Sequence, residues 1–408
     1  MARDGRVRGF LDRNRSVLRL SLVALMMSSF GDLFAGITLG YMTDTLKLMP
    51  GLMILIPPAI GMRGNIFGAL GSRLGTSMHI GTFELSLKKG GILRQNLEGS
   101  LVLSIIMSFL MGVLAESVSV VLGVESIGVS QFVFISVFGG VLAGLLLLLI
   151  NVLIATVGFR RNWDIDNVSA PLVTAAGDII TLPMLFVAAM IVMSGVPMIS
   201  FDIFTLALLA VTIVLVIATL RMKNPETRRI VVQSSPVLIL CILLDIGAGI
   251  TIDRRIDDLI ALPALLILIP QFLEDSNALG GILTSRFASL LHMGTLEPKR
   301  TPGKLAVENF LISYVLSLWV FVVVGITSHF TALILGLGSP GLLMMVALSL
   351  AAGMLTVTIL NALSYYIAVY TFKFSLDPDD DSIPLTSSAI DFLGALCLIG
   401  VMLLFGIA

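Results

Sequence analysis

Charge is scarce in this chain. Only 12% of its 408 residues are Asp, Glu, Lys or Arg, too few to coat a water-soluble globule of that size. No surplus of one sign makes up for the shortage. Lys and Arg number 25 against 26 Asp and Glu, a net charge of −1 that leaves nothing to neutralise phosphates and excludes a nucleic-acid partner. Cysteine is almost missing too: Cys241 and Cys397 both sit in apolar runs and form neither a disulfide framework nor a CxxC metal site. Histidine is nearly as rare, at three residues; the equivalent His79 and His292 have no thiol near them in sequence and read as interfacial helix ends, not as a soft-metal site. What fills the chain is hydrocarbon, 57% of residues with a mean hydropathy of +1.04. That is the composition of a polytopic membrane protein whose main partner is the lipid bilayer.

A helix needs about 20 mostly apolar residues to cross about 30 Å of hydrocarbon. The sequence predicts eleven such runs, near 17–40, 49–72, 99–123, 131–157, 169–196, 202–220, 231–252, 262–285, 306–330, 339–370 and 382–407. The run at 339–370 exceeds one crossing, which predicts tilt or a break. Pro50, Pro57 and Pro58 in the second run, and Pro263 and Pro270 in its counterpart, predict kinked or discontinuous helices. With the Arg-rich N-terminus in the cytoplasm, strict alternation puts 21 of the 25 basic residues on that side, leaving only Lys47, Arg63, Arg254 and Arg255. The C-terminus is then extracytoplasmic.

The chain repeats itself. Residues 32–84 align without a gap on 245–297, and 21 of those 53 positions are identical, an offset of 213. Matches at Asp32/Asp245, Asp44/Asp257, Pro57/Pro270, Arg73/Arg286 and His79/His292 are not ones that apolarity alone would produce. The same offset pairs Asn96 with Asn309, Pro171 with Pro384 and Asp178 with Asp391. Each repeat holds five spans, so the unmatched span at 202–220 is what restores the second repeat to the orientation of the first. The expected fold is therefore an all-α polytopic membrane protein of two parallel five-helix repeats joined by an extra linking transmembrane helix, with a pseudo-two-fold axis along the membrane normal. Its parts are a short basic cytoplasmic tail (1–16), a first repeat (17–200), the linking helix and a cytoplasmic loop (201–230), and a second repeat (231–408). One chain carries both halves, so a monomer suffices for one pore, and a homo-oligomer is compatible with the same plan.

A carboxylate at mid-membrane costs several kcal/mol unless it meets a cavity, a partner or an ion. Asp178 and Asp391 lie near the middle of equivalent spans, and a central axis brings them face to face. No Lys or Arg recurs at equivalent intramembrane positions to neutralise them, which makes the pair a candidate divalent cation site. Asp32 and Asp245 form a second equivalent pair, either a further ion or proton site or a structural hydrogen bond to the kinked neighbour. Gly61-Met-Arg-Gly-Asn65 and Glu274-Asp-Ser-Asn277 follow the prolines, where Asn65 and Asn277 offer neutral oxygens to a pathway. Register sets Gly64, not Asn65, opposite Asn277. Glu274 and Asp275 have no acidic match in the first repeat; either the halves differ in function or these residues pair with Arg63 across the axis. The acidic stretches at 164–166 and 377–381 precede the Asp178 and Asp391 spans and either are simply solvated or concentrate cations at a pore mouth.

Ile56-Pro-Pro-Ala-Ile-Gly-Met-Arg-Gly-Asn65 with Gly71-Ser-Arg-Leu-Gly-Thr76 resembles the second span of the MgtE and solute-carrier-41 magnesium transporters. Asp164-Ile-Asp-Asn-Val-Ser-Ala-Pro171 through Gly177-Asp178 resembles their fifth, and Asp377-Pro-Asp379, Pro384 and Asp391 repeat it. The resemblance implies Mg²⁺ as the transported ion, with no cofactor and no enzymatic step. It assigns Asp178 and Asp391 to the ion, together with a backbone carbonyl one turn earlier, at Thr174 and Ser387. It also implies the tandem solute-carrier-41 form, without the cytosolic gating domains of the bacterial proteins. Mg²⁺ is hard and keeps several waters, so sparse carboxylates and carbonyls suit it, and Mn²⁺ or Co²⁺ fit similar sites. Two other readings compete. One is a secondary transporter exchanging the divalent cation for Na⁺ or H⁺, with Asp32 and Asp245 as coupling groups. The other is an intramembrane aspartyl enzyme using the facing pair as an acid–base dyad.

Overall fold

The computed structural model describes residues 15–88, 90–161, 165–222, 225–374 and 382–407. Among these there are thirteen helices and no strands. In chain order they are α1 (Arg15–Tyr41), α2 (Thr43–Leu48), α3 (Leu52–His79), α4 (Ile92–Leu122), α5 (Val129–Arg161), α6 (Ile165–Met193) and α7 (Met198–Arg221). There follow α8 (Pro225–Asp253), α9 (Ile256–Ala261), α10 (Pro263–His292), α11 (Lys304–Ile334), α12 (Leu342–Lys373) and α13 (Ile383–Leu404). The 213-residue offset carries α1–α6 onto α8–α13 and leaves α7 unmatched. Ten helices are long and apolar enough to cross a membrane. The eleventh predicted span, α10, has the length at 30 residues, but Gln271, Glu274, Asp275, Ser276 and Asn277 dilute its apolarity.

Burial explains where such dilution is tolerated. Over its apolar stretch α3 is 78% buried, whereas the linking helix α7 is only 11% buried. Ile203, Leu206 and Val214 on α7 project outward, apolar all round as a lipid-facing helix should be. Backbone groups freed by proline, and polar side chains, are affordable only where other helices cover them. The two helices α3 and α10, with prolines that their repeat equivalents share, run through the interior.

The prolines do not break these helices. α3 continues through Pro57 and Pro58, and α10 through Pro270. The interruptions come earlier, where the short α2 and α9 end and a new helix begins at Leu52 or at Pro263, the latter in the first turn where a missing N–H costs nothing. Gly51 makes the turn in the first copy with φ 77°, left-handed geometry that suits glycine. The long run near 339–370 is one unbroken 32-residue helix, α12, about 48 Å at 1.5 Å per residue, so it outruns the hydrocarbon without breaking.

Reciprocal contacts define the pseudo-two-fold. A Cβ on Gly249 of α8 would lie 2.6 Å from the Ile54 carbonyl oxygen of α3, and one on Gly36 of α1 would collide with the equivalent Ile267 carbonyl of α10. Pro58 removes the N–H that the Ile54 carbonyl would otherwise accept, and that carbonyl lies against the glycine instead. Likewise a Cβ on Gly112 would sit 2.7 Å from Val133 Cα, and one on Gly325 2.7 Å from Val346 Cα. The equivalent short helices α2 and α9 touch one another.

The first helix of each repeat is exchanged. α1 packs on α10 and α11 of the second repeat as well as on its own α6, while α8 packs on α3 and α4 of the first as well as on its own α13. Gln271 of α10 fastens one side of this exchange by donating to the Ser29 carbonyl of α1 at 3.0 Å.

Candidate functional site

Five helices bring six carboxyl groups into the interior. Asp32 comes from α1, Asp178 from α6, Asp245 from α8, Asp391 from α13, and Glu274 and Asp275 from α10. All are buried except Glu274, which is partly exposed.

The second-repeat half of the cluster is arranged around Gly61 of α3. Asp245 Oδ2 and Asp391 Oδ2 lie 3.0 and 3.7 Å from the point where a Cβ on Gly61 would stand. Asn277 Nδ2 donates to Asp391 Oδ1 at 2.9 Å. In the first-repeat half, Asp32 lies against Asp178, and Glu274 and Asp275 are within electrostatic reach of Asp32. Asp245 and Asp391 thus share the Gly61 surface, while Asp178 neighbours Asp32.

These carboxyls are poorly satisfied by protein. Both oxygens of Asp32, Asp245 and Asp275, together with Asp178 Oδ2 and Asn277 Oδ1, are buried without a hydrogen-bond partner. Burying carboxylates uncompensated costs several kcal/mol each, so such a cluster calls for a cation or protons. Among the described residues no three His, Cys, Asp or Glu side chains converge tightly enough to grip a bare ion. A hydrated Mg²⁺, which is held through its waters, does not require them to.

The remaining predicted residues fall as follows. Thr174 packs on α3, its Cγ2 3.8 Å from a Cβ on Gly64 and its Oγ1 3.7 Å from one on Gly68. Ser387 lies one turn before Asp391 on α13, half-buried. Asn65 stands apart from the carboxyls, lining a small cleft with Arg73, Ser234 and Pro384. His79 and His292 are the last residues of α3 and α10, at helix ends as expected. Arg63 does not meet Glu274 or Asp275; it donates to Ser104 Oγ at 2.8 Å and Ser108 Oγ at 2.7 Å on α4. Asp164 and the 377–381 stretch lie outside the described residues, as does the side chain of Asp166. Gln271 was not among the residues read from sequence, and its signal was available: it breaks the repeat opposite Pro58.

A duplicated, all-helical chain with ten membrane-length apolar helices around a buried carboxyl cluster is an integral membrane protein with internal repeats. The MgtE family model, described as divalent cation transporter, matches residues 56–188 and again 269–401, two matches separated by the 213-residue period. The chain belongs to the MgtE family of divalent cation transporters. It is 26% identical to solute carrier family 41 member 2 of Xenopus laevis over 408 residues, 92% of this chain and 70% of that protein. It is also 26% identical to member 3 of Rattus norvegicus (92% and 86% covered) and 25% identical to member 2 of Homo sapiens (92% and 68% covered). The eukaryotic MATE transporter AtDTX14 aligns at a TM-score of 0.36 and 11% identity over 97% of this chain and 96% of that one, too slight a likeness to bear on fold or function. Asp178 and Asp391 fall inside the two family matches; Asp32 and Asp245 fall outside them.

Proposed function

We propose that this protein moves Mg²⁺, and less selectively Mn²⁺ or Co²⁺, across the membrane along its pseudo-two-fold axis. Asp178 and Asp391 are the principal groups facing the hydrated ion, with Asp32 and Asp245 beside them. The Thr174 and Ser387 carbonyls one turn earlier and the Asn277 amide supply neutral oxygens, and Asn65 serves the approach from the Arg73 side. That side is the cytoplasm, where the N-terminus lies, and the C-terminus is extracytoplasmic. One chain makes one pathway. The observation that carries this reading is the convergence of six acidic side chains from five helices, most with oxygens that no protein group satisfies.

The test is flux of radiolabelled Mg²⁺ into proteoliposomes, for the wild type and for the D178N/D391N double variant. Gradient-independent uptake that the double variant abolishes is the expected result. Absence of any divalent flux would overturn the reading.

A second reading has its own support. Asp32 and Asp245 are fully buried with both oxygens unpartnered, although they lie outside the family matches. If they carry a coupling ion, uptake will require an opposing Na⁺ or H⁺ gradient, and D32N/D245N will uncouple it.

A further inference from the structure

The two repeats use one equivalent arginine differently. On α3, Arg73 turns onto α4: its Nε donates to Asn96 Oδ1 at 3.0 Å and a terminal nitrogen donates to Ser100 Oγ at 3.3 Å. The first helix of the other repeat, α8, covers this arrangement. Thr227 Oγ1 of α8 donates to the Gln95 carbonyl at 3.3 Å, and Ile230 lies 3.2 Å from the point where a Cβ on Gly99 would stand. Ser234 and Leu238 of α8 then wall the cleft beside Arg73.

The second repeat keeps the residues and loses the arrangement. Arg286, Asn309 and Ser313 are the counterparts of Arg73, Asn96 and Ser100, and all three line a cleft between α10 and α11. Arg286 does not bond Asn309. Asn309 is 3% exposed, its Nδ2 donates to the Leu305 carbonyl at 2.8 Å, and its Oδ1 is buried without a partner. Ser313 Oγ is turned to Asn361 of α12. Among the described residues α1, the counterpart of α8, contributes no side chain to this cleft. Ile312 stands where the first copy has Gly99, and its side chain takes the space that glycine leaves for Ile230. Ile282 and Arg286 are partly exposed, so the cleft opens outward from the bundle.

A buried acceptor beside a guanidinium that does not engage it calls for a ligand with the opposite pair of groups. Arg286 requires a negative group, and Asn309 Oδ1 requires an N–H or O–H donor. Glu308 adjoins Asn309 and is within electrostatic reach of Arg286, so a zwitterion matches the cleft better than a net anion. Phosphatidylethanolamine has a phosphate, an ammonium with three N–H donors, and acyl chains suited to the apolar walls of Leu279, Ile282 and Leu316. Phosphatidylcholine carries the same charges with no N–H donor, and phosphatidylglycerol has hydroxyl donors but a net negative charge. Arg286 lies six residues before the end of α10, about 9 Å along the helix, and a long side chain at such a depth reaches toward lipid phosphates.

We propose that the cleft between α10 and α11 binds one phosphatidylethanolamine, its phosphate on Arg286 and its ammonium donating to Asn309 Oδ1. The lipid takes the place that α8 has in the first repeat. The site is separate from the carboxyl cluster and does not depend on which ion is transported.

The experiment is native mass spectrometry of the full chain released from nanodiscs containing phosphatidylethanolamine, phosphatidylglycerol and phosphatidylcholine in equal parts. The wild type should retain one phosphatidylethanolamine over either competitor by about tenfold or more, the equivalent of one charge-assisted hydrogen bond. N309L should retain phosphatidylethanolamine and phosphatidylcholine alike, and R286Q should lose the retained lipid. If N309L is not monodisperse, R286Q, at a partly exposed position, decides the matter alone. Equal retention of the three lipids by the wild type would mean annular lipid only and overturns the inference. A preference for phosphatidylglycerol, or an unchanged phosphatidylethanolamine preference in R286Q, overturns it as well.

Discussion

In backbone α3 and α10 are copies, yet α3 buries a guanidinium at Arg63 where α10 has Ser276, directly after the carboxyls of Glu274 and Asp275. On α3, Arg63 reaches Ser104 and Ser108 of α4, and its guanidinium lies so close to Gly140 that a Cβ there would collide with it. The equivalent residues in the second repeat are Ser276, Ser317, Phe321 and Gly353. There the Phe321 ring fills the space, packing on Phe272 with centroids 5.1 Å apart and rings tilted by 38°, and pressing on Gly353 in place of the guanidinium. Both copies need a glycine at this point, one for a cation and one for an aromatic ring. The duplication has thus kept the helix–helix spacing and exchanged its chemistry. What a repeat conserves most stubbornly is room for side chains, not their charge.

That contrast can be broken most sharply at Arg63. R63S, which installs the second-repeat residue, removes two charge-assisted hydrogen bonds and leaves a void; we expect a loss of about 2–5 kcal/mol in unfolding stability. The reverse change, S276R, has no serine at 321 to receive it and should prevent monodisperse expression. S104A should cost about 1.5–3 kcal/mol, the range for a hydrogen bond to a charged group. S317A, on the matched turn of α11, loses bonds only to the Tyr314 carbonyl and Met354 sulfur and should cost under about 1 kcal/mol. Equal losses for the two serines would show that the copies are energetically alike after all.

The glycines at the exchanged helices sharpen the other side of the comparison, what the repeats share. G36A and G249A each force a Cβ against a backbone carbonyl that cannot rotate away, and should destabilise by similar amounts of about 1–3 kcal/mol. Unequal values, measured by unfolding in detergent, would mean the pseudo-two-fold is not energetically symmetric. The smallest effect is expected at the loop pair Glu297–Lys299, whose counterparts in the first repeat are Glu84 and Ser86. The hydrogen bond from Lys299, and then its charge, hold the Glu297 carboxyl below its usual range. Any stability this adds is present at neutral pH and lost as pH falls through that lowered value. Both side chains are fully in solvent, so E297Q should leave unfolding indistinguishable from wild type.

Much of this was legible in the chain. The 213-residue offset, the unmatched helix between the copies and the acidic positions Asp32, Asp178, Asp245 and Asp391 could all be read because polar residues inside apolar runs are rare enough to be informative. Glu274 and Asp275 announced themselves as breaks in the repeat. Partnership was not legible. A membrane helix is apolar toward lipid and toward protein alike, so nothing in the pattern of α1 says that it packs on α10. For the same reason Arg63 offered two acidic suitors in sequence, whereas its actual partners are two serines on the neighbouring helix. Continuity through Pro57, Pro58 and Pro270 was hidden as well, because whether a freed carbonyl is tolerated depends on the helix lying across it.

The exchanged first helices bear on how the protein is made. Gln271 and Ser29 are 242 residues apart in the chain, so the groove that receives α1 is not synthesised until more than half of the protein has emerged. Until then α1, with its buried-to-be Asp32, must wait in the bilayer or against the insertion machinery. Split between the two repeats, the chain would give an N-terminal fragment whose first helix has lost its seat and a C-terminal fragment whose own first helix has lost α3 and α4. Neither half is expected to mature alone, and co-expression of the two is the condition under which each finds its cover.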